Sequence, residues 1–400
     1  MSGPASSPDE ARTLPNRNGG IRLRIALVSS SYNYIKDGIA LTMNRLVSFL
    51  ESRGVDVLVV APVSKTAAFP HSGTLVPVAS VPLPFRPEYR VALGLPHEAR
   101  WRIMAFNPHI IHITVPDLLG YQALRFGRSF GVPVVASYHT RYETYLKYYP
   151  GLELLRPLLK SYLRFFYRSC QNVYVPSESM AQVLADHGIA ENVSLWSRGV
   201  DTDRFSPAKR SQLWQQRYGI GDNKPVVIFI SRLVREKELA TLAAVFNGLA
   251  DGANVPGCVV VGDGPERAWL EAQIPNAIFT GFLDGEDLAR AYASSDVFFF
   301  PSETESFGNV TLEAMASGLP TVCADATGSR SLVVHGETGY LASPRDIQGF
   351  LTHVRQLLND ANLRRRLGAA ARVRSLHYSW DKVMQQMLAS YRSIADQPRP

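Results

Sequence analysis

The feature that most constrains the fold is an alternation of short apolar runs with segments of helical periodicity. The first apolar runs are RIALVSS at 24–30, VDVLVVAP at 55–62, HIIHITVP at 109–116 and VPVVASY at 132–138. Helix-like segments separate these runs, and a further strand and helix follow over 172–188. Strands that alternate with helices are typical of parallel sheets covered by helices on both faces. The first half of the chain is therefore predicted to be an α/β layer structure.

A polar segment at 201–225, punctuated by Pro and Gly, interrupts the alternation, which then restarts. The second series of strands is predicted at 225–233, 257–266, 276–282, 296–302 and 320–325. Because the two series are similar in size, we predict an α/β fold of two Rossmann-like domains that face a central cleft. The length of 400 residues agrees with two or three domains.

The domain boundaries are predicted from changes in composition. We assign 21–205 to the first domain and 206–377 to the second, and expect the amphipathic helix 378–395 to pack back on the first. Residues 1–20 are polar and lack the apolar centre of a signal peptide, so we expect a disordered tail. No apolar run approaches the roughly 18 residues of a membrane span. The scattered cysteines fit reduced thiols in the cytosol rather than a disulfide or zinc framework.

The net charge of +7 lies entirely within residues 20–205. Such a field attracts nucleic acid, anionic membrane or an acidic substrate, unless it reflects only scattered, solvated arginines. Residues 156–168 predict an amphipathic helix with a cation at every fourth position: Arg156, Lys160, Arg164 and Arg168. This helix either lies on anionic lipid or buries its apolar face and leaves the arginines solvated. Nucleic acid is not expected as a partner, because no recognised binding module is present.

Ligands of open parallel sheets bind beyond the carboxyl ends of the strands, so the segments after each strand are candidate sites. In PSETESFGNVTLEAMASGLP (301–320) a turn containing Gly308 leads into a helix, whose free N–H groups suit a phosphate. Glu313 can accept hydrogen bonds from vicinal hydroxyls such as those of a ribose, and Glu305 is expected to face the cleft. The alternative is an ordinary first-turn glutamate at 313 and a solvated loop acid at 305.

Three other segments carry candidate ligand-binding groups. Arg232 and Lys237 flank one turn and could bind a single diphosphate, although they could also be surface cations. GDGPE at 262–266, with Pro265 predicted to open a helix, resembles half of a dinucleotide fingerprint, and a plain tight turn is the alternative. His139 follows a strand and could contact a hydroxyl or a phosphate, or be structural. The acids of DTD at 201–203 are not expected to bind a metal, because no third acid lies nearby.

Taken together, these motifs resemble those of retaining glycosyltransferases of the GT-B fold, in the large group called family 4. The matching elements are the E-x7-E frame in PSETESFGNVTLEAMASGLPTV, SRLVREK, VVGDGPE, SRGVDTDRFSP and SYHT, in the expected order over about 24–345. SYHTRYETYLKYY is similar to bacterial GDP-mannose-dependent mannosyltransferases and sulfoquinovosyl-diacylglycerol synthases. The chain departs from many relatives at the first glycine loop, which reads KDGIA and contains only Gly38.

The resemblance implies a role for each motif in binding a nucleotide-sugar donor. Arg232 and Lys237 would bind its diphosphate in place of a metal, and Glu313 would hold its ribose. His139 would lie beside the sugar and phosphate, and Gly38 near the phosphates. The base would be lined by Gly262, Asp263, Gly264 and Pro265. The transferred sugar would be held by Glu305 and by the backbone of Phe307, Gly308 and Asn309. Arg232, Lys237, Glu305 and His139 are the catalytic candidates. No metal and no other cofactor is expected.

The implied activity is transfer of a hexosyl group, with retention, from GDP-mannose or a UDP-hexose to a hydroxyl of a lipid-linked or glycolipid acceptor. The expected location is the cytoplasm, peripherally at the inner face of the cytoplasmic membrane. Three alternatives remain open from the residues alone. These are a sugar-nucleotide epimerase of the same fold, an NAD-dependent oxidoreductase, against which the missing third glycine after GDG counts, and a non-catalytic membrane-binding protein that uses the basic helix.

Overall fold

The computed structural model describes residues 22–83, 86–139, 152–221, 224–250 and 255–398. The chain forms two compact units. The first contains the described residues of Met1–Val175, Ala181–Trp196 and Met384–Pro400, and the second contains those of Pro176–Met180 and Ser197–Val383. The change between units therefore falls after Trp196, earlier than the boundary predicted at 205. The tail predicted at 1–20 lies outside the described residues.

The first unit is built on a parallel seven-stranded sheet with the order β3-β2-β1-β6-β7-β8-β9. Its strands are β1 (Arg24–Val28), β2 (Asp56–Pro62), β3 (Thr74–Val78), β6 (Ile110–Ile113), β7 (Val134–Ser137), β8 (Asn172–Val175) and β9 (Val193–Leu195). The central strands β6, β7 and β8 are buried along their whole length, which explains why they read as unbroken apolar runs rather than as alternating patterns.

Helices connect the parallel strands of the first unit. They are Gly38–Ser52, His97–Phe106, Leu118–Ser129 and Arg156–Arg168, the last preceded by a 3-10 turn at Leu152–Leu155. The strands β4 (Ser80–Leu83) and β5 (Arg86–Ala92) form a separate antiparallel pair. Two further helices, Glu178–Asp186 and Trp380–Ala395, include residues of both units.

The C-terminal helix is attached to the first unit by buried polar contacts. The Tyr391 hydroxyl lies 2.5 Å from His112 Nδ1, and Ser137 Oγ lies 2.6 Å from the other ring nitrogen. The Tyr174 and Ser390 hydroxyls are 2.7 Å apart. Burial lowers the pKa of His112 to about 3, so its ring is neutral in the folded protein. These contacts lie among aromatic side chains, where an unpaired polar group would be costly.

The second unit contains a parallel six-stranded sheet with the order β12-β11-β10-β13-β14-β15. Its strands are β10 (Val226–Ile230), β11 (Gly257–Val261), β12 (Ile278–Gly281), β13 (Val297–Phe300), β14 (Thr321–Ala324) and β15 (Gly339–Ala342). Its helices are Gln212–Arg217, Leu239–Ala250, Arg267–Gln273, Gly285–Ala293, Asn309–Ala316, Thr327–Leu332, Ile347–Asn359 and Ala361–Ser375, with 3-10 turns at Pro207–Lys209, Arg235–Lys237 and Leu376–Tyr378.

Aromatic packing fixes the centre of the second sheet. Phe298 and Phe300 on β13 are fully buried and stack at 5.7 Å between ring centroids, and Phe300 also stacks on Phe229 of β10. This packing holds the carboxyl ends of β10 and β13 in a fixed relation, and the candidate site is built from the loops at those ends. None of the helices in the described part of the chain is long and apolar enough to cross a membrane.

Candidate active site

The loops that follow β10 and β11 in the second unit are joined through their backbones. Leu233 N–H donates to the Asp263 carbonyl at 2.9 Å, and Ser231 N–H donates to the Val261 carbonyl at 3.1 Å. A Cβ on Gly262, whose φ is 133°, would lie 1.8 Å from the Ser231 carbonyl oxygen. A glycine is therefore required here for the two loops to approach each other, whatever else they contact.

The GDGPE segment differs in one respect from its sequence prediction. The helix begins at Arg267, so Pro265 lies in the preceding turn and does not open the helix. A Cβ on Gly264 would lie 2.4 Å from the Leu233 carbonyl oxygen, which makes this second glycine another point of close approach. Asp263 accepts a hydrogen bond from the Gly264 N–H at 2.7 Å and pairs with Arg267 at 3.5 Å. Their role along the base stays a prediction.

Lys237 and Glu305 lie together, as an ion pair between the loops that follow β10 and β13. Their side chains are only 15% and 22% exposed. The two loops are also joined at the Glu236 carbonyl, which accepts from the hydroxyls of Ser302 and Thr304 at 3.4 and 3.2 Å. The interpretations of Lys237 as a surface cation and Glu305 as a solvated loop acid are therefore wrong.

Arg232 lies in the same loop as Lys237 but is differently placed. Its side chain is 68% exposed and lies 4.0 Å from Glu236. Arg232 is thus a cation at the surface of this loop, and among the described residues its one ion pair, with Glu236, is weak. Its guanidinium can change position at little cost, whereas the Lys237 ammonium is already fixed by a carboxylate.

Glu313 is held inside the helix Asn309–Ala316 rather than in its first turn. The Tyr292 hydroxyl lies 3.0 Å from its Oε2 and 3.1 Å from the Val310 carbonyl, so it shares one proton between two acceptors. Burial raises the pKa of Glu313 to about 7, although the hydrogen bond from Tyr292 opposes this shift. The interpretation of this residue as an ordinary first-turn glutamate is wrong.

The helix Asn309–Ala316 begins four residues after Glu305, and its first residue is exposed. Gly308 is its N-cap, with a φ of 96° that favours glycine, and Asn309 is the first helical residue. Phe307 is buried and packs edge-on against Tyr378 at 5.9 Å, so its side chain belongs to the core. If this turn contacts a ligand, it does so through the backbone N–H groups of these residues.

The sequence did not indicate Arg345, which lies after β15 with a φ of 66°. Its guanidinium donates to Glu238 at 2.9 and 3.2 Å and to Glu303 at 2.9 Å. Glu238 also has a positive φ, of 55°. Arg345 therefore connects the loops after β10 and β13, on either side of the Lys237–Glu305 pair. No sequence motif indicates a left-handed arginine.

The first unit contains the other two predicted positions, Gly38 and His139. Gly38 begins the helix Gly38–Ser52 beside the N-cap Asp37, which accepts from the Ala40 N–H at 2.7 Å and from the Ser31 hydroxyl at 2.9 Å. A Cβ on Gly38 would meet nothing within 4 Å, so this helix start is open. His139 is buried directly after β7, with its ring 5.5 Å from that of Trp196. Residues 140–149 of SYHTRYETYLKYY lie outside the described residues.

Asp117 follows β6, so the strand-end rule points to it, although no motif gives it a role in ligand binding. It is the N-cap of the helix Leu118–Ser129, accepting from the Gly120 N–H at 2.9 Å, and it also hydrogen-bonds to the Ser30 hydroxyl. Burial raises its pKa. Asp117 thus joins the loops after β1 and β6. The strand-end rule alone indicates such a residue, but it does not distinguish a cap from a ligand.

No group of three His, Cys, Asp or Glu side chains in the described ranges is arranged to hold a metal ion. Of the DTD acids, Asp201 accepts from the Arg204 N–H at 3.1 Å and lies 3.9 Å from the Arg204 guanidinium.

Two family models match the chain in succession. The model for glycosyltransferase family 4 matches residues 36–204, and that for glycosyl transferases group 1 matches residues 211–374. A GDP-mannose-dependent alpha-mannosyltransferase of Mycobacterium tuberculosis is 34% identical over 93% of this chain and 97% of its own length. The chain belongs to the family 4 glycosyltransferases. The resemblance noted from its motifs is thereby confirmed.

Other relatives of this glycosyltransferase are named for different sugars. A sulfoquinovosyl transferase of Arabidopsis thaliana is 34% identical over 90% of the chain and 71% of its own length. An alpha-monoglucosyldiacylglycerol synthase of Streptococcus pneumoniae is 27% identical over 75% of the chain and 70% of its own length.

Solved structures confirm the GT-B fold class. A sucrose-phosphate synthase from Thermosynechococcus elongatus superimposes with a TM-score of 0.77, covering 93% of this glycosyltransferase and 99% of that chain at 22% identity. The Anabaena protein HepE, solved in complex with UDP-glucose, gives a TM-score of 0.67 at 21% identity, covering 93% and 100%. At these identities the likeness establishes the fold alone.

Proposed function

We propose that this glycosyltransferase transfers a hexosyl group, with retention, from a nucleotide-diphosphate sugar to a hydroxyl of a lipid-linked or glycolipid acceptor. The observation that supports the donor site best is the Lys237–Glu305 pair, which is largely shielded from solvent and lies a few residues before the start of the helix Asn309–Ala316. This arrangement places a cation, a carboxylate and free backbone N–H groups at one sheet edge. A diphosphate requires the cation and the N–H groups, and a sugar hydroxyl requires the carboxylate.

The donor roles are those that the family resemblance implies, and the chemistry of these groups is compatible with them. Lys237 and the exposed Arg232 bind the diphosphate without a metal, and Glu313 accepts hydrogen bonds from the ribose. Glu305 and the backbone of Phe307, Gly308 and Asn309 hold the hexose. The same resemblance assigns the Gly262–Pro265 turn to the base, and His139 and Gly38 to the sugar and the phosphates.

The reaction requires stabilisation of one developing negative charge. The bond between the anomeric carbon and the phosphate oxygen breaks, and its electron pair remains on the diphosphate, where Lys237, Arg232 and the helix-start N–H groups stabilise it. The acceptor hydroxyl attacks the face that the leaving group departs from and gives its proton to the leaving phosphate. A strong protein base is therefore not required, which agrees with the engagement of Glu305 in an ion pair.

Peripheral membrane binding is part of the proposal, and the helix Arg156–Arg168 supports it. Leu163, Phe166 and Tyr167 are buried, whereas Leu158 and Phe165 are 69% and 51% exposed on the side that also carries Arg164 and Arg168. Solvated arginines alone do not explain apolar side chains on the exposed face. A mixed basic and apolar face suits the headgroup region of an anionic bilayer. We place this surface at the cytoplasmic side, where the three free cysteines would stay reduced.

The experiment that tests the donor proposal is a thermal-shift panel of GDP, UDP, GDP-mannose and UDP-hexoses. A ligand at 100 times its Kd stabilises the folded state by about 2.7 kcal/mol, so one nucleotide should stand out. Transfer from that donor to a membrane lipid extract, with the anomeric configuration of the product read by NMR, then tests acceptor and stereochemistry. Donor turnover without acceptor would instead indicate an epimerase, and no stabilisation by any nucleotide would contradict the donor site.

A separate experiment tests membrane binding. Sedimentation with vesicles should increase with the fraction of anionic phosphatidylglycerol and decrease with salt, because exposed charges are screened within about 10 Å at 0.1 M salt. Binding that is absent or independent of salt would contradict this part of the proposal without affecting the donor site.

A further inference from the structure

A groove of about 640 Å³ lies on the first unit, lined by the helices His97–Phe106 and Leu118–Ser129. Its volume is within the range of small-molecule sites. Its main lining side chains are Arg100, Trp101, Met104, Tyr121, Arg125 and Phe130. None of the residues assigned to donor binding lines it, so the proposed transfer reaction leaves the groove unexplained.

Several exposed apolar side chains lie together around the groove. Trp101 is 59% exposed, and about half of the surface of Met104 and of Phe130 is accessible. A single exposed apolar residue is ordinary, but several around one concave surface indicate a binding site. An indole, a thioether and a phenyl ring offer contact to an acyl chain, and His97, Gln122 and Ser129 add polar groups to the lining.

The charge of the groove is positive. Arg125 lines it, is exposed, and forms no hydrogen bond or ion pair with any described residue. Arg100 donates from Nε to the Leu95 carbonyl at 3.0 Å, which leaves its terminal nitrogens available. Glu98, on the same helix, lies 3.8 Å from Arg102. An anionic group of the ligand is therefore favoured at the arginine side of the groove.

The groove is continuous with the surface proposed to lie on the membrane. The Tyr121 ring, which lines the groove, lies 6.3 Å from the ring of Phe165 and 6.4 Å from that of Tyr162, both on the helix Arg156–Arg168. A ligand that reaches the groove from a bilayer would therefore pass along one apolar and basic surface.

We propose that this groove binds one anionic phospholipid of the membrane, with its phosphate at Arg125 and Arg100 and an acyl chain along Trp101, Met104 and Phe130. The proposal rests on the membrane binding proposed above and names its lipid site. This lipid is distinct from the acceptor of the proposed transfer reaction. It binds beside the groove arginines and is not a substrate.

Trp101 provides a direct probe of the groove. Of the other four tryptophans, Trp196 and Trp214 are buried, and the half-buried Trp380 and the 41% exposed Trp269 both belong to the second unit. Vesicles containing phosphatidylglycerol brominated along its chains should quench the fluorescence of the full-length protein. Trp101→Phe should lose most of this quenching, whereas Trp269→Phe should keep it. Quenching that survives in Trp101→Phe would overturn the proposal.

The headgroup contact is tested by charge removal. Arg125→Gln should weaken vesicle binding about fivefold, since a cation near an anionic surface contributes about that factor. Arg366→Gln, an exposed arginine of the second unit, is the matched control and should bind as the wild type does. Equal binding by Arg125→Gln and wild type would overturn the proposal.

Two further results separate this proposal from others. If the groove instead binds a second copy of the chain, sedimentation velocity will show a lipid-free dimer that Trp101→Arg dissociates, which would overturn lipid binding. If the proposed transfer reaction is wrong, donor turnover will be absent while Trp101 is still quenched. If only the groove proposal is wrong, transfer to detergent-solubilised acceptor will persist without quenching.

Discussion

The carboxyl of Glu313 provides a quantitative test of the donor site. Burial raises its pKa to about 7, and the Tyr292 hydroxyl, 3.0 Å away, favours the ionised form. The variant Tyr292→Phe removes this hydroxyl with little change in shape. A hydrogen bond to a charged group contributes about 1.5–3 kcal/mol, or roughly one to two pKa units. Because the hydroxyl is shared with the Val310 carbonyl, we expect the lower end, a rise of about one unit.

The sign of the effect follows from which form of Glu313 binds the ribose. The ionised carboxylate accepts two hydroxyl hydrogen bonds, so donor affinity should decrease as the pH falls through about 7, by up to tenfold per unit. In Tyr292→Phe the same decrease should occur about one pH unit higher. The intact nucleotide-sugar is the right ligand, because both of its phosphates are esterified and do not titrate in this range.

Calorimetric titration of the donor between pH 5.5 and 9 measures both midpoints. Glu313→Gln is the control, because it keeps the shape of the side chain and should make affinity weak and independent of pH. The reasoning would be refuted by a wild-type affinity that is flat across this range, or by a midpoint in Tyr292→Phe that moves to lower pH.

Three other variants test the site and the scaffold. Lys237→Met should lower kcat/KM at least a hundredfold, which corresponds to about 3 kcal/mol in the barrier. Adding Glu305→Gln should restore the Tm but not the rate, whereas recovery of both would show that the pair is purely structural. Gly262→Ala should lower the Tm by several degrees in denaturation scans, because its Cβ would lie 1.8 Å from a carbonyl oxygen, whereas Gly38→Ala should not change the Tm of the ligand-free protein. His112→Asn should reduce the loss of stability at acid pH. The pKa of His112 in the folded protein, about 3, lies below the usual 6.5, so the contribution of the neutral ring to stability is complete above pH 6.5 and decreases by about 1.4 kcal/mol per pH unit below it. An unchanged slope in urea titrations between pH 4 and 6.5 would contradict the last prediction.

The central strands of both sheets could be predicted because burial on two faces leaves an unbroken apolar run. RIALV and VVIFI are examples, and both lie at the centre of their sheets. The strands that were missed lie at the edges. β9 has only three residues, none of them fully buried, and β4 contains Pro82 and is largely exposed. Short or exposed edge strands such as these have one partner and little burial, so their sequences carry little signal.

The candidate site could be predicted only where function depends on residue type at a strand end. The motifs indicate Lys237 and Glu305 separately, and the structure joins them as an ion pair between two loops. Tyr292 and Arg345 could not be predicted, because their importance comes from contacts across the fold. The Tyr292 hydroxyl reaches Glu313 from a neighbouring helix, and Arg345 depends on a left-handed backbone that its sequence does not indicate.

Several residues at the carboxyl ends of the strands of the second sheet destabilise the folded state, and folding alone does not explain why they are there. A carboxyl whose pKa is raised to about 7 destabilises the folded state as the pH rises from 4.5 to 7, and the full cost at higher pH is at most about 3 kcal/mol. Glu238 and Arg345 add left-handed backbones within the same set of loops. A glutamine at 313 would keep a hydrogen bond to Tyr292 without the charge, so stability would favour it. Because the chain has a carboxylate there, a ligand that requires a carboxylate is the simplest physical reason for its presence.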